Sequence, residues 1–161
     1  MSELPSGTVT FLFTDLEGST RLWEEHPDAM RPALIRHDEI LSGAVLAHEG
    51  HVVKTTGDGM HAVFATAHGA LGAAVAIQLA LSAESWSATG PFWVRMGVHT
   101  CEADVRDGDY YGSEVNRAAR LMSVAHGGQV VVSASTSSLV RDGSVELVDL
   151  GEHRLRDLND E

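Results

Sequence analysis

The stretch His51-Val52-Val53-Lys54-Thr55-Thr56-Gly57-Asp58-Gly59-Met60-His61-Ala62-Val63-Phe64 decides the fold. Residues 51–56 and 60–64 are short β-rich runs, and the Gly-Asp-Gly between them has the backbone freedom of a tight hairpin. Upstream, Pro27 and Asp28 open a long helix that runs to about Glu49 and closes at Gly50. Ile35, Ile40, Leu41, Ala44, Val45 and Ala47 recur along it at helical spacing. Downstream, Thr66 is of the N-cap type, and a second helix reaches Ser82.

Further out, residues 8–14 read T-V-T-F-L-F-T, a buried first strand ending at Asp15. Residues 85–90 are a loop and Phe92 to His99 a fourth strand. Asp107 to Asp109 are turn-like, and a helix from Tyr111 to about His126 stops at Gly127-Gly128. Residues 129–133 and 145–150 complete the strands, with a short helix between them. Strands and helices interleave, and only one connection reads as a hairpin. The expectation is an α/β (α+β) sandwich with a ferredoxin-like βαββαβ core, a mixed sheet and helices on one face.

The chain has 161 residues, enough for one compact domain with a sizeable core. A formal net charge of -12 disfavours a nucleic-acid partner, because phosphate backbones are held by clustered Lys and Arg. A polyanionic substrate would need local cations or metals. Cys101 is the sole cysteine, which excludes an internal disulfide and fits a reducing cytoplasm. No signal peptide is read at the start. The apolar run from Ala70 to Ala83 is broken by Gln78 and falls short of the roughly 20 residues that span a bilayer. No membrane contact is expected.

Asp15 at the end of the first strand and Asp58 at the hairpin tip would emerge at one sheet edge if their segments are neighbours. Two carboxylates there repel unless a cation lies between them, and Mg²⁺ or Mn²⁺ uses few protein carboxylates beside substrate phosphates. Two such ions can activate an attacking oxygen and stabilise phosphoryl charge. Alone, Asp15 could cap a turn and Asp58 could be a hairpin residue. The segment after Asp15, Leu16-Glu17-Gly18-Ser19-Thr20, adds a glycine for close approach and amides that can hold phosphate oxygens. There is no P-loop motif.

Asn116 and Arg120, four apart on a helix, share a face. Arg120 could stabilise growing phosphoryl charge and Asn116 could orient a sugar, although an isolated helical Arg is usually just solvated. Lys54 donates and Asp109 accepts, which matches the acceptor and donor on the edge of adenine and rejects guanine. Taken singly, Lys54 is an outward strand residue and Asp109 a turn residue. Lys54 and Asp58 stand roughly 13 Å apart if the chain is fully stretched. Two chains about a twofold axis would let one give the metals and the other the base readers.

These segments carry a resemblance. Phe13-Thr14-Asp15-Leu16-Glu17-Gly18-Ser19-Thr20 resembles the first metal-binding segment of class III adenylyl and guanylyl cyclases. Lys54-Thr55-Thr56-Gly57-Asp58-Gly59 is similar to their second, and residues 109–120, D-Y-Y-G-S-E-V-N-R-A-A-R, to their substrate and transition-state helix. The resemblance implies that Asp15, Asp58 and the Leu16 carbonyl bind two divalent metals, Mg²⁺ or Mn²⁺. It implies adenine recognition by Lys54 and Asp109, ribose positioning by Asn116 and transition-state stabilisation by Arg120. It implies ATP as substrate, attack of the ribose 3′-oxygen on the α-phosphate, and sites shared across a homodimer.

Arg156 is the best candidate for a cation on the phosphates, where the family pattern usually has lysine. The family has one further strand beyond this point, so the chain is expected to be a single catalytic domain excised from a longer parent. The Leu22-Trp23-Glu24 continuation is similar to that of bacterial members. The alternatives are a catalytically weak cyclase-like domain and a guanylyl cyclase, the latter opposed by Lys54 and Asp109. A nucleotide-polymerase palm domain fits the adenine reader and the Asn-Arg helix less well.

The nine histidines form no obvious ligand cluster in the sequence. His37, His48 and His51 read as surface or hydrogen-bonded residues, and His61 and His99 as buried neutral imidazoles. Trp23, Trp86 and Trp93 read as packing anchors, and the helix from Ala67 to Ala83 as close-packed core.

Overall fold

The structure is a computed structural model that describes residues 4–140. Strand β1 (Gly7–Leu16) is followed by a short helix α1 (Ser19–Glu25) and the long α2 (Pro27–Ala47). The hairpin β2 (His51–Thr56) and β3 (Gly59–Phe64) leads into α3 (Ala67–Ala83) and β4 (Val94–Ala103). A small pair, β5 (Val105–Arg106) and β6 (Asp109–Tyr110), precedes α4 (Ser113–Ser123), β7 (Val130–Val132) and α5 (Ala134–Leu139). The main sheet has the order β2-β3-β1-β4-β7, with β1 antiparallel to both neighbours and β7 parallel to β4. This is the expected split βαββαβ core with a mixed sheet.

Side-chain alternation gives the sheet two different faces. Leu12, Leu16, Met60, Ala62, Phe64, Val94, Met96 and Val98 point to one side, where Ile40, Leu41, Val45, Leu71, Ala74 and Ile77 of α2 and α3 cover them. Ile77, Val45 and Leu12 are each 0% exposed. Fully burying such a side chain contributes about 1.5–3 kcal/mol. The polar groups on this side are largely satisfied: the Thr10, Thr100 and Thr136 hydroxyls form a chain with 2.9 Å links. Thr66 caps α3 as expected, its Oγ1 accepting from the Gly69 amide at 3.0 Å. Gly69 and Gly72 lie close against His48, in keeping with a close-packed α3.

The opposite face is not bare, which corrects the expectation of helices on one face only. Ala118 of α4 packs with Val9, Phe11, Val63 and Tyr110 in a second, smaller core. At Gly97 of β4 an added Cβ would stand 2.5 Å from the Met122 amide, so α4 lies directly on the strand. Helical periodicity reveals that a helix has an apolar stripe, not which side of a sheet it will cover.

A second correction concerns the hairpins. Asp107 and Gly108 both adopt positive φ, 54° and 74°, and join β5 to β6 in a tight turn. Strands of two residues each are too short to show alternation in the sequence. Helix α4 begins at Ser113 rather than Tyr111, after Gly112 at φ 117°. Strand β4 starts at Val94 rather than Phe92 and runs on to Ala103. Ile35 is exposed although it stands at helical spacing.

The tryptophans divide. Trp86 stacks on Phe92 at 4.4 Å and donates its indole N–H to the Leu81 carbonyl, as a packing anchor should. Trp23 and Trp93 are exposed instead. His37 is buried, with Nδ1 2.8 Å from Asp38, and His48 Nδ1 lies 2.8 Å from the Ala44 carbonyl. The expected strand at residues 145–150 and Arg156 lie outside the described residues. Among the described residues, no helix is long and apolar enough to cross a membrane.

Candidate active site

The candidate residues gather on the face that α4 covers in part. In the register of β1, Phe11 and Phe13 oppose Val63 and His61 on one side, and His99 and Gly97 on the other. Two residues further along β1, Asp15 opposes Arg95. Its carboxylate accepts a hydrogen bond from the Arg95 guanidinium. Arg95 was not singled out in the sequence, because one Arg in an alternating strand reads as a solvated position; its register with Asp15 was the missing signal.

Asp58 sits at the tip of the β2–β3 turn. The register Thr14↔Met60 brings this turn beside the last residues of β1. Gly59 is required there, since a Cβ would stand 2.9 Å from the Thr14 carbonyl oxygen. Asp15 and Asp58 therefore share one end of the sheet, as expected. Asp58 Oδ2 is buried and has no hydrogen-bond partner. A carboxylate oxygen withdrawn from water without a donor is costly, and a cation is the partner that would relieve it. The oxygen donors of Asp15, Asp58 and the Leu16 backbone carbonyl fit a hard divalent cation.

Lys54 and Asp109, 55 residues apart in sequence, meet directly: Lys54 Nζ donates to Asp109 Oδ2 at 2.8 Å. The other carboxylate oxygen, Oδ1, accepts from the Tyr110 amide at 2.7 Å. Asp109 is thus held at both oxygens, and the Lys54 ammonium is the main cause that lowers its pKa from the usual carboxylate value. Tyr110 anchors this strand from below. Its ring packs edge-on against Phe11 with centroids 5.0 Å apart, and its hydroxyl donates to the Pro5 carbonyl. Burial pushes its phenol up to about 12. Lys54 remains 49% exposed at its side chain, so the ion pair is a surface pair of small worth that can part for a ligand.

His61 lies beneath this pair, stacked on Phe13 at 4.2 Å, with both ring nitrogens buried and unpartnered. Burial first, then the Lys54 charge, depresses its pKa to about 4, so the ring is neutral as expected. Asn116 and Arg120 stand one turn apart on α4, Asn116 exposed and Arg120 half-buried. Gly18 is the N-cap of α1 at φ 70°, and no side chain caps that helix start, where Ser19 and Thr20 present their amides. A recess of about 320 Å³ between the end of α3 and the loop before β4, lined by Trp86 and Phe92, holds none of these residues.

The comparisons with known proteins bear on the family and the fold. An uncharacterized protein of Mycobacterium tuberculosis is 41% identical over 159 residues, covering 96% of this chain and 53% of its own. The chain thus spans about half the length of that relative. The adenylate cyclase of Schizosaccharomyces pombe is 37% identical over 161 residues, 84% of this chain and 10% of that protein. Among solved structures, an adenylate cyclase from Trypanosoma brucei in its monomeric state superposes with a TM-score of 0.90 at 28% identity, over 98% of this chain and 87% of that one. The adenylyl cyclase CyaB from P. aeruginosa gives 0.84 at 26% identity, over 99% and 92%. The sequence model of the adenylate and guanylate cyclase catalytic domain matches residues 1–160. A match of that extent shows that the chain belongs to this family, the class III nucleotide cyclases.

Proposed function

We propose that this nucleotide cyclase domain is specific for ATP, which it converts to 3′,5′-cyclic AMP and pyrophosphate at sites shared between two copies of the chain. The observation that carries the specificity is the Lys54–Asp109 contact, a donor and an acceptor fixed side by side. Lys54 donates to the ring nitrogen on the edge of adenine and Asp109 accepts from its exocyclic amine; guanine presents the reverse pattern. Tyr110 keeps Asp109 aimed through its amide.

Asp15 and Asp58, with the Leu16 carbonyl, would hold two Mg²⁺ or Mn²⁺ ions. Bound there, such ions neutralise phosphate charge and ease loss of the 3′-hydroxyl proton. The 3′-hydroxyl gives its proton to solvent, and the 3′-oxygen forms its bond to the α-phosphorus as the bond to pyrophosphate breaks. Asn116 orients the ribose for that attack. Arg120 donates to the charge growing on the phosphoryl oxygens, a contribution of a few kcal/mol for a preorganised donor. The amides of Gly18, Ser19 and Thr20 face the phosphates, and Arg156 is the cation for their far end. Sharing between chains is supported by the separation of the two groups: Lys54 is engaged with Asp109, whereas Asp58 lies at the hairpin tip beside the end of β1, so one chain can give the metals and the other the base readers.

Turnover of ATP and GTP measured in parallel, with each metal, tests this reading. ATP is expected to be strongly preferred. Lys54→Glu combined with Asp109→Gly should lower the ATP-over-GTP ratio by about tenfold or more. A wild type that prefers GTP, or a double variant with unchanged preference, refutes the base-reading assignment.

A further inference from the structure

A second group of ligand-type side chains lies on the same sheet face, away from the paired aspartates. His99 and Cys101 are two apart on β4, so both point toward α4, whose first turn carries Glu114. One ring nitrogen of His99, the Cys101 sulfur and a Glu114 carboxylate oxygen all lie within 4.8 Å of one another. In the β1 register His99 and Cys101 oppose Phe11 and Val9, whereas Arg95 opposes Asp15. Four residues of strand separate Phe11 from Asp15, about 13 Å.

We propose that His99, Cys101 and Glu114 form a transition-metal site of the zinc class that pins α4 to β4. Nitrogen, sulfur and oxygen ligands on a tetrahedral Zn²⁺ stand about 3.4 Å apart, so the His99–Glu114 hydrogen bond must open while the Cys101 sulfur, within 4.8 Å of both, stays in reach. Glu114 can make that adjustment, since its side chain is 39% exposed and belongs to the first turn of a helix. His99 is already oriented: its Nδ1 lies 2.8 Å from Ser133 Oγ, which leaves Nε2, now 2.5 Å from Glu114 Oε2, as the ligand atom. Such an outer partner holds a ligating imidazole in the right tautomer. With three protein ligands, a fourth position stays open to water.

The sulfur sets the selectivity. A thiolate prefers Zn²⁺, Co²⁺ or Cd²⁺ and gives Mg²⁺ little, so this site does not compete for the ions of Asp15 and Asp58. Burial, with Glu114 and Glu102 adding, pushes the Cys101 thiol up to about 12. Without a metal it therefore stays protonated and inert; on binding, the thiol proton goes to solvent as the sulfur–metal bond forms. Glu114 is two residues before Asn116 and six before Arg120. Occupancy would fix the helix that presents both, a consequence that rests on the proposed cyclase site, whereas binding itself does not.

Chelator-treated full chain, titrated with Co²⁺ in excess Mg²⁺, tests the site directly. The expected result is one equivalent of Co²⁺ bound with a thiolate-to-cobalt charge-transfer band, displaced by Zn²⁺, and a Tm that rises with Zn²⁺. Cys101→Ser should lose the band and the Tm shift, Asp58→Ala should keep both, and Ser133→Ala should weaken binding by about 10–100-fold. Absence of the band in the wild type overturns the proposal. So does a Zn²⁺-induced Tm shift that Cys101→Ser leaves unchanged. If Cys101→Ser fails to fold, Glu114→Gln serves instead, and unaltered Co²⁺ affinity in that variant is equally fatal.

Discussion

The two faces of the one sheet are built to different ends. Under α2 and α3, strand residues such as Leu12, Met96 and Val98 meet Ile77 and Val45 in an aliphatic interior, and buried Thr10, Thr100 and Thr136 satisfy each other. That side leaves two neutral atoms unpartnered, Thr14 Oγ1 and His37 Nε2, whereas on the other face the orphans include ionisable groups of the candidate site: both ring nitrogens of His61, Nε of Arg95 and, at the adjoining hairpin tip, Oδ2 of Asp58. Buried polar groups without partners cost stability, and they persist where the surrounding fold holds them for a purpose. The comparison teaches that the larger apolar core lies on the first face and the candidate site residues on the second.

Breaking the chemical face should abolish turnover while sparing the fold. Asp58→Ala is expected to lower cyclic nucleotide production by on the order of 10³-fold. Because it also removes the orphaned oxygen, its Tm in metal-free buffer should hold or rise. Thermal melts beside a product assay check both halves.

The reverse holds for the stabilising face. Ile77→Ala, at a side chain 0% exposed, is expected to cost about 3 kcal/mol in denaturant unfolding. The nucleotide affinity of the folded fraction should be unchanged. A comparable loss of affinity would dissolve the distinction between the faces.

A smaller effect sharpens the comparison through pH. His61 has a folded pKa of about 4, below the ordinary 6.5, so the unfolded chain binds the extra proton first. Stability is therefore fully present above the unfolded value and falls as the pH drops from 6.5 toward 4. Between pH 7 and pH 5 the wild type should lose about 2 kcal/mol more than His61→Phe, which keeps the stack on Phe13. Parallel denaturant curves at the two pH values measure it, and equal losses would remove His61 from the account.

What could be read in the sequence follows from the length scale of each signal. The β2–β3 hairpin was legible because Gly57-Asp58-Gly59 breaks two runs long enough to alternate. The β5–β6 hairpin was not, with two residues on each side of Asp107-Gly108. Helix α1 was hidden because its seven residues, Ser19–Glu25, are too few to show helical periodicity. Lys54 and Asp109 could be paired on chemistry alone, since a donor and an acceptor fit one base edge. The Arg95–Asp15 pair and the His99, Cys101 and Glu114 group could not, because each depends on register or on which face a helix covers.

The most direct test of a site divided between chains is complementation. Asp58→Ala and Arg120→Ala, each inactive alone, would be mixed and assayed for cyclic AMP. If each site takes its carboxylates from one chain and its arginine from the other, half the dimers in an equal mixture are hybrids with one intact site. The mixture should then recover about a quarter of wild-type activity. A mixture as inactive as its components, with hybrid dimers demonstrably present, would contradict a site that takes its carboxylates and its arginine from different chains.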